Sequence, residues 1–410
     1  MTAQSYPIEK IREEFPAMQR IENNYFVGYF DGPGGTQVTK TVIEAMSNYM
    51  KNGVANNGGE SCTSKETEHI VTQAREAIAT LLGTEQQNIV FGENMTSLTF
   101  RIARTLQRMW GNSSGNIVIT EMDHHANRDP WISAVEDLPI DIHSIPVNPT
   151  TKTLDTNHLE HIITKDTKLV AIGLASNAIG TINNIIPIIR RAKEVGALIA
   201  LDGVHAVPHF SVNFHDLGAD FLFCSAYKFF GPHVGIVAIK QETFEDLTPY
   251  KLEPAPNFPP EKLETGTINF EALAGVKDTV EFIASIGNGN LLREKLNSAF
   301  KKISQYEEYL ANRLRRALKQ MNHIKLFQAD ENIRKTPTIA FKVSGMHAKS
   351  VCHYLATHYS LHLESGHFYA PYLIEKLAAN ENGGLIRAGI SPYNTEEEID
   401  RLIHALAKLN

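Results

Sequence analysis

The sequence predicts an α/β protein with a mainly parallel sheet. Short, continuous apolar runs alternate along the chain with stretches whose apolar residues recur at helical spacing. The apolar runs lack the alternation of apolar and polar residues found in half-exposed strands, which is typical of strands buried on both faces. Because ligands of such sheets bind beyond the carboxyl ends of the strands, the polar residues that follow each run are the first candidates for a site.

The predicted elements follow one another from residue 63 to residue 239. Helices are predicted over 63–83, from 95 to about 110 and over 183–195, and strands over 89–91, 117–119, 169–174, 197–201, 221–224 and 234–239. In the first helix, Val71, Ala74 and Ile78 fall at helical spacing, and Gly83 is a natural stop.

A smaller α+β unit is predicted at the C-terminal end. A strand over 339–343 and a helix over 348–356 are followed by a further strand and helix. Asn394 and Glu397, three residues apart, form the predicted capping signature of the last helix. We expect a large domain over 22–275, a small domain over 1–21 and 286–410, and a connecting helical region over 276–320.

Composition and charge restrict the kinds of partner. The chain of 410 residues is 42% hydrophobic and 21% charged, and its net charge of -7 comes without any basic run, which argues against nucleic acid or an anionic membrane surface. The polar N-terminal stretch and the lack of a long apolar segment predict neither a signal peptide nor a membrane span. Three scattered cysteines, Cys62, Cys224 and Cys352, fit a reducing compartment, so we expect a cytoplasmic protein.

A lysine and an aspartate follow two of the predicted strands. Asp202 ends one apolar run, and 26 residues later Lys228 follows the next run, directly before Phe229 and Phe230. An apolar setting lowers the pKa of a lysine, and a neutral amine is what attacks the aldehyde of pyridoxal phosphate (PLP). An acid one strand away suits the protonated ring nitrogen of that cofactor. A surface lysine and an aspartate that caps a turn are the equal alternative.

Three further strand ends carry candidate residues. His124 is suited to stacking on an aromatic ring or to shuttling protons, or else is a half-exposed histidine bonded to backbone. Asn177 is suited to bonding a phenolic oxygen of a cofactor, or else belongs to a simple turn. Asn94, Met95 and Thr96 open a predicted helix, whose N-terminus is suited to a phosphate, although Asn and Thr are also common caps.

Arg387 lies within an apolar, strand-like run. A buried arginine needs a partner, which is either the carboxylate of a substrate or a structural Asp or Glu. A metal site is a separate alternative, since several metal-ligating side chains follow the strands. The residues of that alternative are His124, His125, Asp202, His205 and His209.

Taken in order, these segments resemble the class V aminotransferase family, and most closely its cysteine desulfurase and selenocysteine lyase branch. The resemblance extends from Phe15 to the C-terminal helix. Its most specific motifs are DHHAN around His124, SNAIGT around Asn177, DGVHAVPH around Asp202, SAYKFFGP around Lys228, GTIN around Thr267 and the strand of Arg387. The resemblance implies the PLP-dependent transferase fold of type I, with a seven-stranded sheet in the large domain and a small C-terminal domain.

The resemblance also implies a role for each matching residue. Lys228 matches the Schiff-base lysine and the acid/base at the substrate Cα, Asp202 the partner of the ring nitrogen, and His124 the catalytic histidine that stacks on the ring. Asn177 matches the residue near the phenolic oxygen. His205 stands where the desulfurases have Gln, and it is expected to serve the same oxygen or to donate to the phosphate. Ser225 matches a phosphate ligand, the segment of Asn94, Met95 and Thr96 matches the phosphate cup, Thr267 matches a phosphate contact from the second subunit of a homodimer, and Arg387 matches the arginine that binds the substrate carboxylate.

The chain departs from the desulfurase pattern within the phosphate site and at the cysteine loop. Asn94 and Met95 stand where the desulfurases have two threonines, so the phosphate cup relies on backbone groups or on Thr96, and Tyr227 replaces a histidine of the phosphate site. The loop that carries the persulfide cysteine has Tyr369 and no cysteine. We therefore predict a PLP-dependent enzyme acting at the Cα of an amino acid, of aminotransferase or carbon–sulfur or carbon–selenium lyase type, and not a true desulfurase. The alternatives are an epimerase of the same family, a metal-dependent hydrolase and a non-catalytic dimeric binding protein.

Overall fold

The structure is a computed structural model that describes residues 6–409. Its helices are α1 (Ile8–Glu13), α2 (Lys40–Asn52), α3 (Cys62–Leu82), α4 (Met95–Trp110), α5 (Asp129–Val135), α6 (Leu159–Ile162), α7 (Ile186–Val195), α8 (Phe214–Leu217), α9 (Gln241–Asp246), α10 (Phe270–Ile286), α11 (Leu292–Lys319), α12 (Ala348–Tyr359), α13 (Pro371–Lys376) and α14 (Glu396–Ala407). Short 3-10 helices lie at Pro16–Gln19, Gln86–Asn88, His125–Asn127, Ala226–Lys228, Glu261–Leu263 and Glu381–Gly383.

The strands fall into one large sheet, one small sheet and three two-stranded pairs. They are β1 (Ile21–Glu22), β2 (Tyr25–Phe26), β3 (Gly28–Tyr29), β4 (Ile89–Gly92), β5 (Gly115–Thr120), β6 (Ile140–Ile145), β7 (Val147–Asn148), β8 (Thr153–Leu154), β9 (Thr167–Gly173), β10 (Leu198–Asp202), β11 (Phe221–Ser225), β12 (Gly235–Ile239), β13 (Ile324–Phe327), β14 (Thr338–Val343), β15 (Leu361–His362), β16 (Glu364–Gly366) and β17 (Leu385–Gly389).

The large sheet has seven strands in the order β4-β12-β11-β10-β9-β5-β6. Only β12 runs antiparallel to its neighbours, so the mainly parallel, seven-stranded sheet is confirmed. Helices cover both faces, and in β11 Phe221 and Phe223 join one apolar cluster while Leu222 and Cys224 join the other. Burial on both faces is why the strands show continuous apolar runs rather than alternation.

Six of the seven strands coincide with predicted apolar runs, and β6 does not. Its sequence, IDIHSI, places Asp141 and His143 between isoleucines. β6 lies at the edge of the sheet and exposes part of its length, so polar residues are tolerated there and the apolar run is interrupted.

The small sheet is antiparallel, in the order β13-β14-β17-β16. Helices α11 and α12 pack on it, and α14 packs against these two helices. β15 pairs in parallel with β3, and Asp31 forms an isolated β-bridge with Gly389. Backbone pairing therefore joins the segment before α2 to the C-terminal part of the chain. The Arg12 guanidinium of α1 donates to the backbone oxygen of Tyr393 and to Glu398 at 2.9 Å. Within residues 6–409, no helix combines the length and the apolar character that crossing a membrane requires.

The cap of the last helix lies one residue later than the sequence analysis placed it. Thr395 is the N-cap, and it exchanges bonds of 3.1 Å in both directions with Glu398. The Asn394 side chain instead accepts from the backbone N–H of Ser391. Asn394–Glu397 has the same spacing as Thr395–Glu398, so the motif alone cannot fix the register.

Candidate active site

A cavity of about 1160 Å³ opens at the carboxyl ends of the large sheet's strands, where β16 and β17 of the small sheet close it. This is the position that the parallel topology predicts for a ligand. Ten of the eleven predicted site residues line it, namely Asn94, Met95, Thr96, His124, Asn177, Asp202, His205, Ser225, Lys228 and Arg387. Thr267 does not, because it lies exposed in the loop before α10.

Lys228 lies in the 3-10 turn that follows β11, with its Nζ turned toward the N-terminal loop of residues 31–35. Nζ donates to the backbone oxygens of Pro33 and, at 2.9 Å, Gly34. Burial, followed by the nearby positive charge of Arg387, lowers the pKa of Lys228 to about 8, although the charges of Asp31 and Asp202 oppose that shift. The shift has the direction expected from the apolar setting, and it gives an amine that is partly neutral near physiological pH.

Asp202 ends β10, the strand next to β11. One of its oxygens accepts from the backbone N–H of Val204 at 2.9 Å, and its second oxygen has no hydrogen-bond partner among residues 6–409. Burial raises the pKa of Asp202 to about 6, although the Val204 bond and the charge of Lys228 oppose that rise. The second Asp202 oxygen can therefore accept a hydrogen bond from a cationic or N–H group in the cavity.

His124 follows β5 and faces the cavity beside Tyr369. Their ring centroids lie 5.4 Å apart, and its Nδ1 accepts from the backbone N–H of Ala126 at 2.9 Å. Burial, followed by the charge of Lys228, lowers the pKa of His124 to about 4. The imidazole is therefore neutral near pH 7, which suits stacking against an electron-poor ring.

Asn177 and His205 each keep one side-chain atom available. The Asn177 amide nitrogen donates to the backbone oxygen of Phe368 at 2.8 Å, while its Oδ1 is buried and has no partner. His205 Nε2 is bonded to the hydroxyls of Thr336 and Thr338 at 3.0 and 3.1 Å, which leaves Nδ1 for a ligand. A buried, unpartnered amide oxygen is costly unless a ligand or water bonds it.

The N-terminus of α4 forms another wall of the cavity. Asn94 caps this 16-residue helix by accepting from the backbone N–H of Ser97 at 2.9 Å, and Ser225 Oγ accepts from the backbone N–H of Met95 at 3.2 Å. The Ser225 hydroxyl proton therefore remains free to be donated. Tyr227 stacks on His233 with ring centroids 4.5 Å apart, and both side chains line the cavity. This end is suited to an anion.

Arg387 extends from β17 and is already paired. Its guanidinium donates to Asp31 and, at 3.0 Å, to the backbone oxygen of Asn177, and it lies 4.2 Å from the centroid of the Phe368 ring. Of the two partners that the sequence left open, a protein carboxylate is the one present. Asp31 itself was not singled out from the sequence, where it is one polar residue before a glycine-rich turn.

The metal alternative is wrong for the residues that suggested it. Among the described residues, only the exposed set of His158, Glu160 and His161 groups three metal-ligating side chains closely enough for one ion. His209 Nδ1 instead pairs with the buried Glu307 carboxylate at 2.9 Å. Glu307 is contributed by α11, about 100 residues away along the chain, so no local signal marks this pair.

The residues of the cavity fit the PLP group that the sequence predicts. An amine with a lowered pKa, an aspartate with an unpartnered oxygen and an amide with a buried, unpartnered oxygen line one cavity, and a helix N-terminus lies at its wall. These groups match, in kind, an aldehyde, a ring nitrogen, a phenolic oxygen and a phosphate. The volume is ample for such a cofactor together with a small substrate.

Comparisons with known proteins agree with this fold. The family described as Aminotransferase class-V matches residues 28–402. A cysteine desulfurase of Yersinia pseudotuberculosis serotype O:1b is 28% identical over 420 residues, covering 99% of this chain and 98% of that protein. The apo structure of a cysteine desulfurase from Thermococcus onnurineus NA1 superposes with a TM-score of 0.87 at 26% identity, over 100% of this chain and 99% of that one.

Proposed function

Because the chain belongs to the class-V aminotransferase family, and is therefore a PLP-dependent enzyme, we propose that it acts at the Cα of an amino-acid substrate. The reaction is of the aminotransferase or carbon–sulfur or carbon–selenium lyase type. The observation that carries this proposal is that Lys228 and Asp202 line one cavity at the ends of neighbouring strands. Burial lowers the pKa of the Lys228 amine to about 8, and one oxygen of Asp202 has no hydrogen-bond partner among residues 6–409.

Each residue has a part that its own geometry supports. Lys228 would hold the cofactor covalently through its aldehyde, and Asp202 would bond the ring nitrogen. His124, neutral because burial lowers its pKa to about 4, would lie against the ring. The α4 N-terminus and the Ser225 hydroxyl would bind the phosphate. When bound, PLP supplies an electron sink for negative charge at Cα.

Lys228 would act as the acid and base that removes and returns the proton at Cα. Once its amine is free of the cofactor, a pKa of about 8 lets it accept a proton and return it near physiological pH.

We propose that this enzyme does not desulfurate cysteine efficiently. Desulfuration needs a thiolate that attacks the substrate's sulfur, and none of the three cysteines lines the cavity. Cys224 is buried, and burial raises the pKa of Cys352 to about 12. Tyr369, in the loop beside His124, cannot form a persulfide.

We expect no more than background release of alanine and sulfide when the purified enzyme is offered cysteine and a reductant. The same preparation should act on another amino acid in a panel followed for keto acid, pyruvate and ammonia, which shows that the enzyme is active. Cys352→Ser and Cys62→Ser should leave that activity unchanged. Robust alanine formation that either substitution abolishes would contradict this account.

We also propose that the enzyme is a homodimer with shared active sites. Thr267 lies outside its own chain's cavity, and the same loop exposes Tyr250, Leu252 and Phe258. Apolar side chains on a long loop favour burial against a second copy, which would bring Thr267 to the partner's phosphate site.

Sedimentation should show a dimer, and Thr267→Ala should weaken PLP binding about ten- to a hundredfold, the value of one hydrogen bond to a charged group. Thr150→Ala, in another exposed loop, is the matched control and should bind PLP normally. A monomer that binds PLP tightly and turns over would refute the shared site.

A further inference from the structure

Three charged residues line the part of the cavity that the small sheet closes: Asp31, Glu364 and Arg387. Asp31 forms an ion pair with the Arg387 guanidinium, which also donates to the backbone oxygen of Asn177. The Arg387 side chain is 4% exposed and that of Asp31 is 30% exposed, so water screens this pair less than it screens a surface ion pair. The positive charge of Arg387 is therefore balanced by a protein carboxylate before any substrate enters.

Glu364 adds a second carboxylate to the same place. It lies on β16 directly opposite Arg387 on β17, so the two side chains are on the same face of the sheet. Glu364 lines the cavity, and within residues 6–409 it has neither an ion-pair nor a hydrogen-bond partner. Burial lowers the pKa of Arg387, and the negative charge of Asp31, followed by that of Glu364, opposes this shift.

The rest of the cavity wall does not offset this excess of negative over positive side chains. The acidic residues that line it are Asp31, Glu93, Asp123, Asp129, Asp202 and Glu364, and the basic ones are Lys228 and Arg387. Lys228 and Asp202 are assigned to the cofactor in the proposed function. What remains for the substrate is one guanidinium and several carboxylates. Asp31 is already paired with Arg387, and Glu364 lies directly opposite Arg387 in the sheet without a partner among residues 6–409.

We propose that the substrate is an α-amino acid with a basic side chain, and that Glu364 is the residue that recognises its cationic end. This inference rests on the proposed function, since it names the substrate class of the same site. A substrate carboxylate that binds Arg387 meets the carboxylates of Asp31 and Glu364 as well. A neutral or acidic side chain leaves that repulsion in place, whereas an ammonium or guanidinium group beside Glu364 compensates it.

Pairs of amino acids that differ in charge and little in shape test the inference. Ornithine against norleucine and arginine against citrulline are two such pairs. Binding to the PLP-loaded enzyme is measured by calorimetry, and turnover by kcat/KM. We expect the wild-type enzyme to prefer the cationic member of each pair, and Glu364→Gln to reduce that preference by about ten- to a hundredfold. The same substitution should leave PLP content unchanged, and it should not weaken binding of the neutral member, because it removes one charge that repels the substrate carboxylate.

Glu375→Gln is the matched control, because it removes one negative charge from exposed helix α13, away from the cavity. Its preference should equal that of the wild-type enzyme, and raised salt should weaken the wild-type preference. A PLP-loaded enzyme that prefers the neutral member or glutamate, or whose preference survives Glu364→Gln, overturns the inference alone. A chain that binds no PLP overturns the proposed function, and this inference with it.

Discussion

Lys228→Ala is expected to abolish the covalent attachment of PLP and to lower turnover by at least about 10³-fold, since general acid–base catalysis alone contributes 10²–10⁴. The substitution removes both the amine that would hold the cofactor and the base that would act at Cα. The fold should persist, because Nζ donates only to the backbone oxygens of Pro33 and Gly34 at the cavity wall. The visible spectrum, steady-state rates and circular dichroism measure these three effects.

Lys349→Ala is the control for Lys228→Ala, since Lys349 is exposed on α12 and outside the cavity. It should keep the visible band and the wild-type rate. If the Lys228→Ala protein still carries PLP that borohydride fixes to another lysine, and still turns over, Lys228 does not have the assigned role.

Asp202→Asn is expected to keep much of the PLP but to lower kcat by about 10²–10⁴-fold, a range comparable to the loss of a general acid or base. An amide does not hold the ring nitrogen in its protonated form as a carboxylate does, so negative charge at Cα is less well stabilised. The local fold should survive, because an asparagine oxygen can accept the same 2.9 Å bond from the Val204 backbone.

The matched control for this charge is Asp137→Asn, an exposed aspartate after α5. Its kcat should equal that of the wild-type enzyme. Near-normal kcat in Asp202→Asn, with PLP bound, would mean that Asp202 only caps the turn after β10, which is the alternative that the sequence left open.

Local sequence was sufficient to predict the fold class and where to look for the site. Strands buried on both faces leave continuous apolar runs, and a parallel sheet places the residues after those runs at one edge. That is why His124, Asn177, Asp202 and Lys228 meet in the cavity although they follow four different strands. The edge strand β6 was missed because partial exposure permits polar residues within it.

Pairings between distant parts of the chain could not be predicted. Asp31 and Arg387 are separated by 356 residues, and they meet only because the N-terminal loop bridges to β17 through Gly389. The contact of Lys228 with Pro33 and Gly34 and the pairing of His209 with Glu307 depend on the same long-range packing. Composition and periodicity report the environment of each residue and not the identity of its partner.

The most direct test of the account is borohydride reduction of the PLP-loaded wild-type protein, followed by proteolysis and mass spectrometry of the peptides. The account predicts that the visible band disappears and that the mass of a reduced pyridoxal phosphate group appears on Lys228 and on no other lysine. A protein that binds no PLP, or that carries the reduced group on a different lysine, would contradict it.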